Sequence, residues 1–132
     1  MKILRTVLLA VSLWGCMLSA AAGDGGRGAR LEFEVAEHDF GDIRQKGGDV
    51  SFEFRYTNKG DAPLVITRIV TSCSCTKADY GKRPVAPGQS GVVKITYEPG
   101  KKELGVFYKA VQVFTNDPAG RQVIVIKGRA VK

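Results

Sequence analysis

The chain has 132 residues, with 20 lysines and arginines against 13 acidic residues, one histidine, three cysteines and a formal net charge of +7. That length admits one domain with a modest core. The basic excess is scattered (Arg44, Lys59, Arg68, Lys82, Arg83, Lys101, Lys102, Arg129) rather than gathered into a stripe, so no nucleic-acid partner is expected.

Residues 1–22 read as a secretory signal. Lys2 and Arg5 precede an apolar run over residues 7–18, and Ser19-Ala20-Ala21-Ala22 offers the small residues of a cleavage site. The run falls short of the roughly 20 residues that cross a bilayer, so the mature chain is expected to carry no membrane span. Leu13-Trp14-Gly15-Cys16 loosely matches a bacterial lipobox, which makes a lipoprotein anchored at Cys16 the alternative to simple cleavage. Against it, Trp14 is bulky and Met17-Leu18 continues the apolar run where a polar tether should begin. Either route exports the protein, to the periplasm or the cell surface. Cleavage after Ala22 removes two basic residues and leaves 18 against 13 acidic, an excess that serves solubility.

Residues 23–30, GDGGRGAR, lack apolar periodicity and read as a flexible leader, which places the folded domain at 31–132. From Leu31 the pattern has period two. Leu31, Phe33 and Val35 alternate with Glu32, Glu34 and Ala36, as in a strand with one buried face. Phe40 is expected to plug the core, and Gly41 gives the backbone freedom beside it. After a turn at residues 46–49, Val50, Phe52, Phe54 and Tyr56 give the cleanest strand signal in the chain. Residues 64–71 form the next strand. Its β-branched residues on both faces predict a central position, with the other strands packed upon it.

Residues 77–85 are polar and irregular, and Ala86-Pro87-Gly88-Gln89 is a turn. Gly91, Val93, Ile95 and Tyr97 mark another strand. Further strands follow at residues 106–114, stopped by Asn116-Asp117-Pro118, and at residues 122–131. Strands at about ten-residue spacing between Gly, Pro and Asn turns predict an all-β fold. The best match is an immunoglobulin-like β-sandwich of about seven antiparallel strands. The Cys…Trp…Cys spacing of antibody domains is absent, so the core is held by apolar burial.

Glu37-His38-Asp39-Phe40-Gly41, Phe52-Glu53-Phe54, residues 58–66, Cys73-Ser74-Cys75-Thr76, Ala86-Pro87-Gly88 and Ile126-Lys127-Gly128 occur in one series. In order and spacing this series resembles the exported bacterial family known as domain of unknown function 1573, over nearly the whole mature length. The resemblance implies an Ig-like sandwich related to the modules of Hydin-type and major-sperm-protein-type proteins. It also implies the binding or scaffold duty typical of such modules. The family usually carries Cys-Gly-Cys, where this chain has Ser74.

Cys73 and Cys75 are the candidate chemical site. In an extended strand their Cα atoms would lie about 6.6–6.8 Å apart, at the upper limit for a disulfide, so a bridge needs the chain to bend at Ser74. Three states stay open: a local disulfide, two reduced thiols, or a soft-metal site such as Cu(I). Lys77, Lys82 and Arg83 are positive neighbours that would favour thiolate. The C-x-x-C and helix of common dithiol oxidoreductases are absent.

His38 beside Asp39 lacks any accompanying nucleophile or metal motif and reads as a turn residue, with Asp39 capping the backbone before Gly41. Asn58-Lys59-Gly60-Asp61 and Asn116-Asp117-Pro118 have no calcium-loop pattern and read as turns. No cofactor is implied. The expectation is a non-catalytic binding or scaffold module that shows loops and sheet edges to a protein or glycan partner. A thiol-redox or metal-handling role at Cys73 and Cys75 is the alternative.

Overall fold

The structure is a computed structural model and describes residues 28–102 and 104–132. The signal segment at 1–22 and Cys16 lie outside the described residues. The strands are β1 (Leu31–Phe33), β2 (Glu37–Arg44), β3 (Val50–Asn58), β4 (Ile66–Thr71), β5 (Thr76–Tyr80), β6 (Ser90–Tyr97), β7 (Gly105–Thr115) and β8 (Gln122–Val131). They form two four-stranded sheets, ordered β1-β3-β6-β5 and β2-β8-β7-β4. Among the described residues the only helical element is a 3-10 turn at Pro99–Lys101, and no helix is long and apolar enough to cross a membrane.

The core lies between the sheets and is made by alternation. Phe54 and Tyr56 of β3 and Val93, Ile95 and Tyr97 of β6 point inward from one sheet. Val111 and Val113 of β7 and Ile124 and Ile126 of β8 meet them from the other. A one-residue slip in any of these ladders would turn the buried set to solvent, which fixes the register. A side chain at Gly91 would strike the Tyr56 ring, with its Cβ 2.5 Å from the phenol oxygen, so this glycine gives Tyr56 its place across β6.

The structure differs from the sequence expectation in several places. Among the described residues there are eight strands rather than about seven, and β2 runs parallel to β8 while every other ladder between them is antiparallel. The strand expected over residues 31–36 ends at Phe33, and a second one starts at Glu37, in the opposite sheet. β4 is an edge strand paired only with β7, not a centre. Its outward residues Thr67 and Val70 face solvent, so its β-branched content reflects strand propensity rather than burial on both faces. The polar stretch after the cysteines holds β5, a short edge strand on β6.

Gly28 to Arg30, placed in the leader by their composition, are docked. The Asp61 N–H donates to the Gly28 carbonyl at 3.0 Å, and that of Lys59 to the Arg30 carbonyl at 2.9 Å. Ala29 is buried. A glycine-rich composition records the freedom of the unbound chain, and these backbone bonds remove it.

Candidate functional site

Among the described strands the chain changes sheets five times, and its two shortest crossings are at residues 34–36 and at residues 72–75. The crossing at 72–75 holds both described cysteines. It leaves β4, the edge of one sheet, and enters β5, the edge of the other, and these two strands lie against each other. The Thr76 N–H donates to the Cys73 carbonyl at 3.1 Å, closing a tight turn. The Thr71 hydroxyl donates to the same carbonyl at 3.4 Å. The Glu98 N–H donates to the Cys75 carbonyl at 2.8 Å, tying the corner to the end of β6.

In this corner the Cα atoms of Cys73 and Cys75 lie 5.1 Å apart and their sulfurs are joined in a disulfide. The bend at Ser74 is reached with no positive φ at any described non-glycine residue. Cys75 is fully buried and belongs to the core cluster, whereas Cys73 is half-buried between exposed Ser72 and Ser74. While bonded, neither sulfur is a thiolate, the form that binds soft metals. The charge of Lys77 is directed elsewhere than the sequence suggests, since its ammonium lies 3.0 Å from the largely buried Glu98 carboxylate.

His38 is not in a turn. It sits on β2 in the layer between the sheets, stacked on Phe52 with ring centroids 3.8 Å apart and edge-on to Phe40 at 4.6 Å. Its neighbours make it a packing residue. The expected Asp39 cap is present: Oδ1 accepts from the Gly41 N–H at 2.8 Å, where the β2–β8 register shifts.

The Asn and Asp side chains of the two turn motifs are spent on backbone. Asn58 is fully buried. Its Oδ1 accepts from the N–H groups of Arg30 and Gly60, and its Nδ2 donates to the carbonyls of Ala62 and Val85. That uses the full hydrogen-bonding capacity of the amide. Asp117 accepts from Leu31 N–H at 2.9 Å and from Ala119 N–H at 2.8 Å, while Asn116 bridges Val65 and Pro63. Among the described residues no three His, Cys, Asp or Glu side chains gather into a metal site.

The feature missed from sequence is the outer face of the β2-β8-β7-β4 sheet. Val106 and Tyr108 point outward from β7 and are 81% and 62% exposed; Leu104, just before the strand, is 45% exposed. Their cross-strand partners are Arg129 and Lys127 on β8, next to Asp42 and Asp39 on β2. Arg129 makes a two-pronged pair with Asp42, at 3.1 and 3.0 Å, and Lys127 lies 3.0 Å from Glu37. The hydrogen bond and charge of Glu37 hold the Lys127 ammonium above the usual lysine range. An open depression of about 320 Å³ lies between Tyr108, Val106, Asp42 and Arg129. Residues 105–111, GVFYKAV, are apolar in both phases of the alternation, so period alone does not say whether Val106 or Phe107 faces the core.

Among solved structures the chain is similar to a protein of unknown function from Porphyromonas gingivalis W83, at TM-score 0.70 and 19% identity, over 84% of this chain and 51% of that one. It is also similar to the ASH / PapD-like domain of human CEP192, at TM-score 0.66 and 9% identity, over 96% and 99%. A third likeness is to the secreted serine protease VesC from Vibrio cholerae, at TM-score 0.54 and 17% identity, over 78% and 23%. These likenesses are of fold. The chain spans about half the length of the Porphyromonas protein. No curated protein matches the sequence. The eight-strand sandwich, its cysteine corner and the motifs from Leu31 to Ala130 fall together in one family: a model described as "Protein of unknown function (DUF1573)" matches residues 31–130, and the chain belongs to that family.

Proposed function

We propose that the protein is an exported, non-catalytic Ig-like binding module that holds a protein partner at the cell envelope through the outer face of its β2-β8-β7-β4 sheet. The observation that carries this reading is the pairing of Val106 and Tyr108, the two most exposed large apolar side chains among the described residues, on that face. A tyrosine and aliphatic residues at the centre, with Arg129–Asp42 and Lys127–Glu37 around them, match the composition of protein interfaces. The rest of the polar inventory supports a passive role, because Asn58, Asp117, Asn116 and Asp39 hold turns rather than face a cleft. The signal-like segment at 1–22 supports export. Fold likeness to a PapD-like domain fits a module that works by contact.

The test is affinity capture from envelope extracts with wild-type protein, Val106→Asp, Tyr108→Ala and, as control on the other sheet, Lys94→Ala. A protein retained by wild type and Lys94→Ala but lost with both face variants is the expected result. Capture unchanged in all variants, or retention of envelope glycan instead of protein, overturns it.

A further inference from the structure

The Cys73–Cys75 bridge has two unequal ends. Cys75 is 0% exposed, and its sulfur lies 3.7 Å from the Thr76 hydroxyl, itself buried. Cys73 is half-buried at the outer corner, flanked by two exposed serines that present little bulk. Thiol–disulfide exchange requires a thiolate to reach one sulfur while the other leaves. From solvent only Cys73 can be reached. Cys75 is then the leaving sulfur, and the Thr76 hydroxyl, free to rotate, can donate a hydrogen bond to it.

Beside the Cys75 N–H that donates to Cys73 Sγ at 3.2 Å, the corner is held by bonds that do not use the sulfurs. The Cys73 carbonyl binds the Thr76 N–H and the Thr71 hydroxyl, and the Cys75 carbonyl binds the Glu98 N–H. A reduced Cys75 would stay packed as a small apolar side chain. A bridge that closes a loop this short constrains the unfolded chain little, so its main consequence is chemical rather than structural.

We propose that Cys73–Cys75 is a one-sided thiol-exchange site, opened at Cys73 by an external dithiol and reclosed by an external disulfide, which first caps Cys73 and releases one thiol before Cys75 attacks Cys73 Sγ and expels the cap as a second thiol. A thiolate of the dithiol bonds to Cys73 Sγ as the Cys73–Cys75 bond breaks. The electron pair passes to Cys75 Sγ, which takes up one proton. The second thiol of the dithiol then attacks its own partner sulfur in the mixed disulfide and expels Cys73 as a thiol. Two electrons and two protons pass to the protein, and the reductant leaves as a disulfide. This activity is independent of the outer face proposed for partner binding.

The test uses the native chain and dithiothreitol as the dithiol. After reduction and removal of reagent, the folded protein is alkylated with iodoacetamide and mapped by peptide mass, which counts Cys16 apart wherever it is retained. The expected result is retained β-sheet circular dichroism and labelling at Cys73. Labelling of Cys75 should be on the order of 100-fold slower, set by local opening, and should catch up in urea. In parallel, Cys75→Ser should form a mixed disulfide with oxidised glutathione while native Cys73→Ser should not. If either variant fails to fold, wild-type labelling decides. Equal labelling of both cysteines, Cys75 labelled first, no reduction of the native protein, or loss of fold on reduction each overturns the proposal.

Discussion

Tyr97 of β6 and Phe107 of β7 stack with ring centroids 4.0 Å apart and planes 11° from parallel, joining the two sheets through one aromatic contact. Both are buried, at 1% and 6% exposure. One residue further along β7, Tyr108 faces solvent. Phe107→Ala is therefore expected to cost about 3–5 kcal/mol, the range for truncating a core aromatic. Tyr108→Ala is expected to change stability by no more than about 0.5 kcal/mol. Urea unfolding of the two variants checks the contrast; similar midpoints would contradict the assignment of faces.

Alkaline pH should loosen the same core. Burial raises the phenol pKa of Tyr56 and Tyr97 above the ordinary 10.0. The unfolded chain therefore ionises these groups first. Their contribution is fully present below about pH 10 and is lost as pH rises through the folded values. Urea midpoints should fall above that pH in wild type. Tyr56→Phe and Tyr97→Phe should each show a shallower fall, and an unchanged slope in both would refute the burial argument.

Two positions should control how the segment at Gly28 to Arg30 docks. Asp117 receives the Leu31 N–H inside the fold, so Asp117→Ala leaves that donor unpaired at a cost of about 1–3 kcal/mol. A Cβ at Gly60 would collide with the Gly28 carbonyl and the Arg30 backbone nitrogen, groups that cannot turn aside. Gly60→Ala should free the segment, which limited proteolysis would report as faster cleavage before Leu31. Equal cleavage rates in wild type and variant would mean that the docking contributes nothing.

Breaking the disulfide should cost little. Chain entropy for a three-residue loop predicts about 1.5 kcal/mol, less than the loss expected at Phe107. Guanidinium unfolding with and without reductant measures it. A loss above about 4 kcal/mol would mean the bridge is a main support of the fold.

Much of this architecture was legible because alternation survives wherever one face is buried. β3, β6 and β8 follow the predicted limits closely, since Phe54, Tyr56, Val93, Ile95 and Tyr97 recur at every second position and the turn residues 116–120 come just before β8. β2 was hidden because the irregularity at Gly41, which has φ +70°, breaks the period between Phe40 and Ile43. Its parallel pairing with β8 depends on a sheet crossing that local pattern does not encode. β5 was hidden because Thr76, Ala78 and Tyr80 are weak apolar signals between Lys77 and Asp79. The spacing of Cys73 and Cys75 set the condition for a bridge, a bend at Ser74. The inequality of the two sulfurs depends on which one enters the core, and that needed the tertiary structure. The outer face was unreadable for a different reason: Val106 and Phe107 are equally apolar, and only packing decides which faces out.

The measurement that tests the binding reading most directly is photo-crosslinking in intact cells of the native host, with a photoreactive amino acid placed at position 108 or, on the opposite sheet, at position 94. The account predicts a discrete protein adduct from position 108 and none from position 94. Adducts of equal yield from both positions, or none from position 108 in protein shown to be folded and exported, would contradict it.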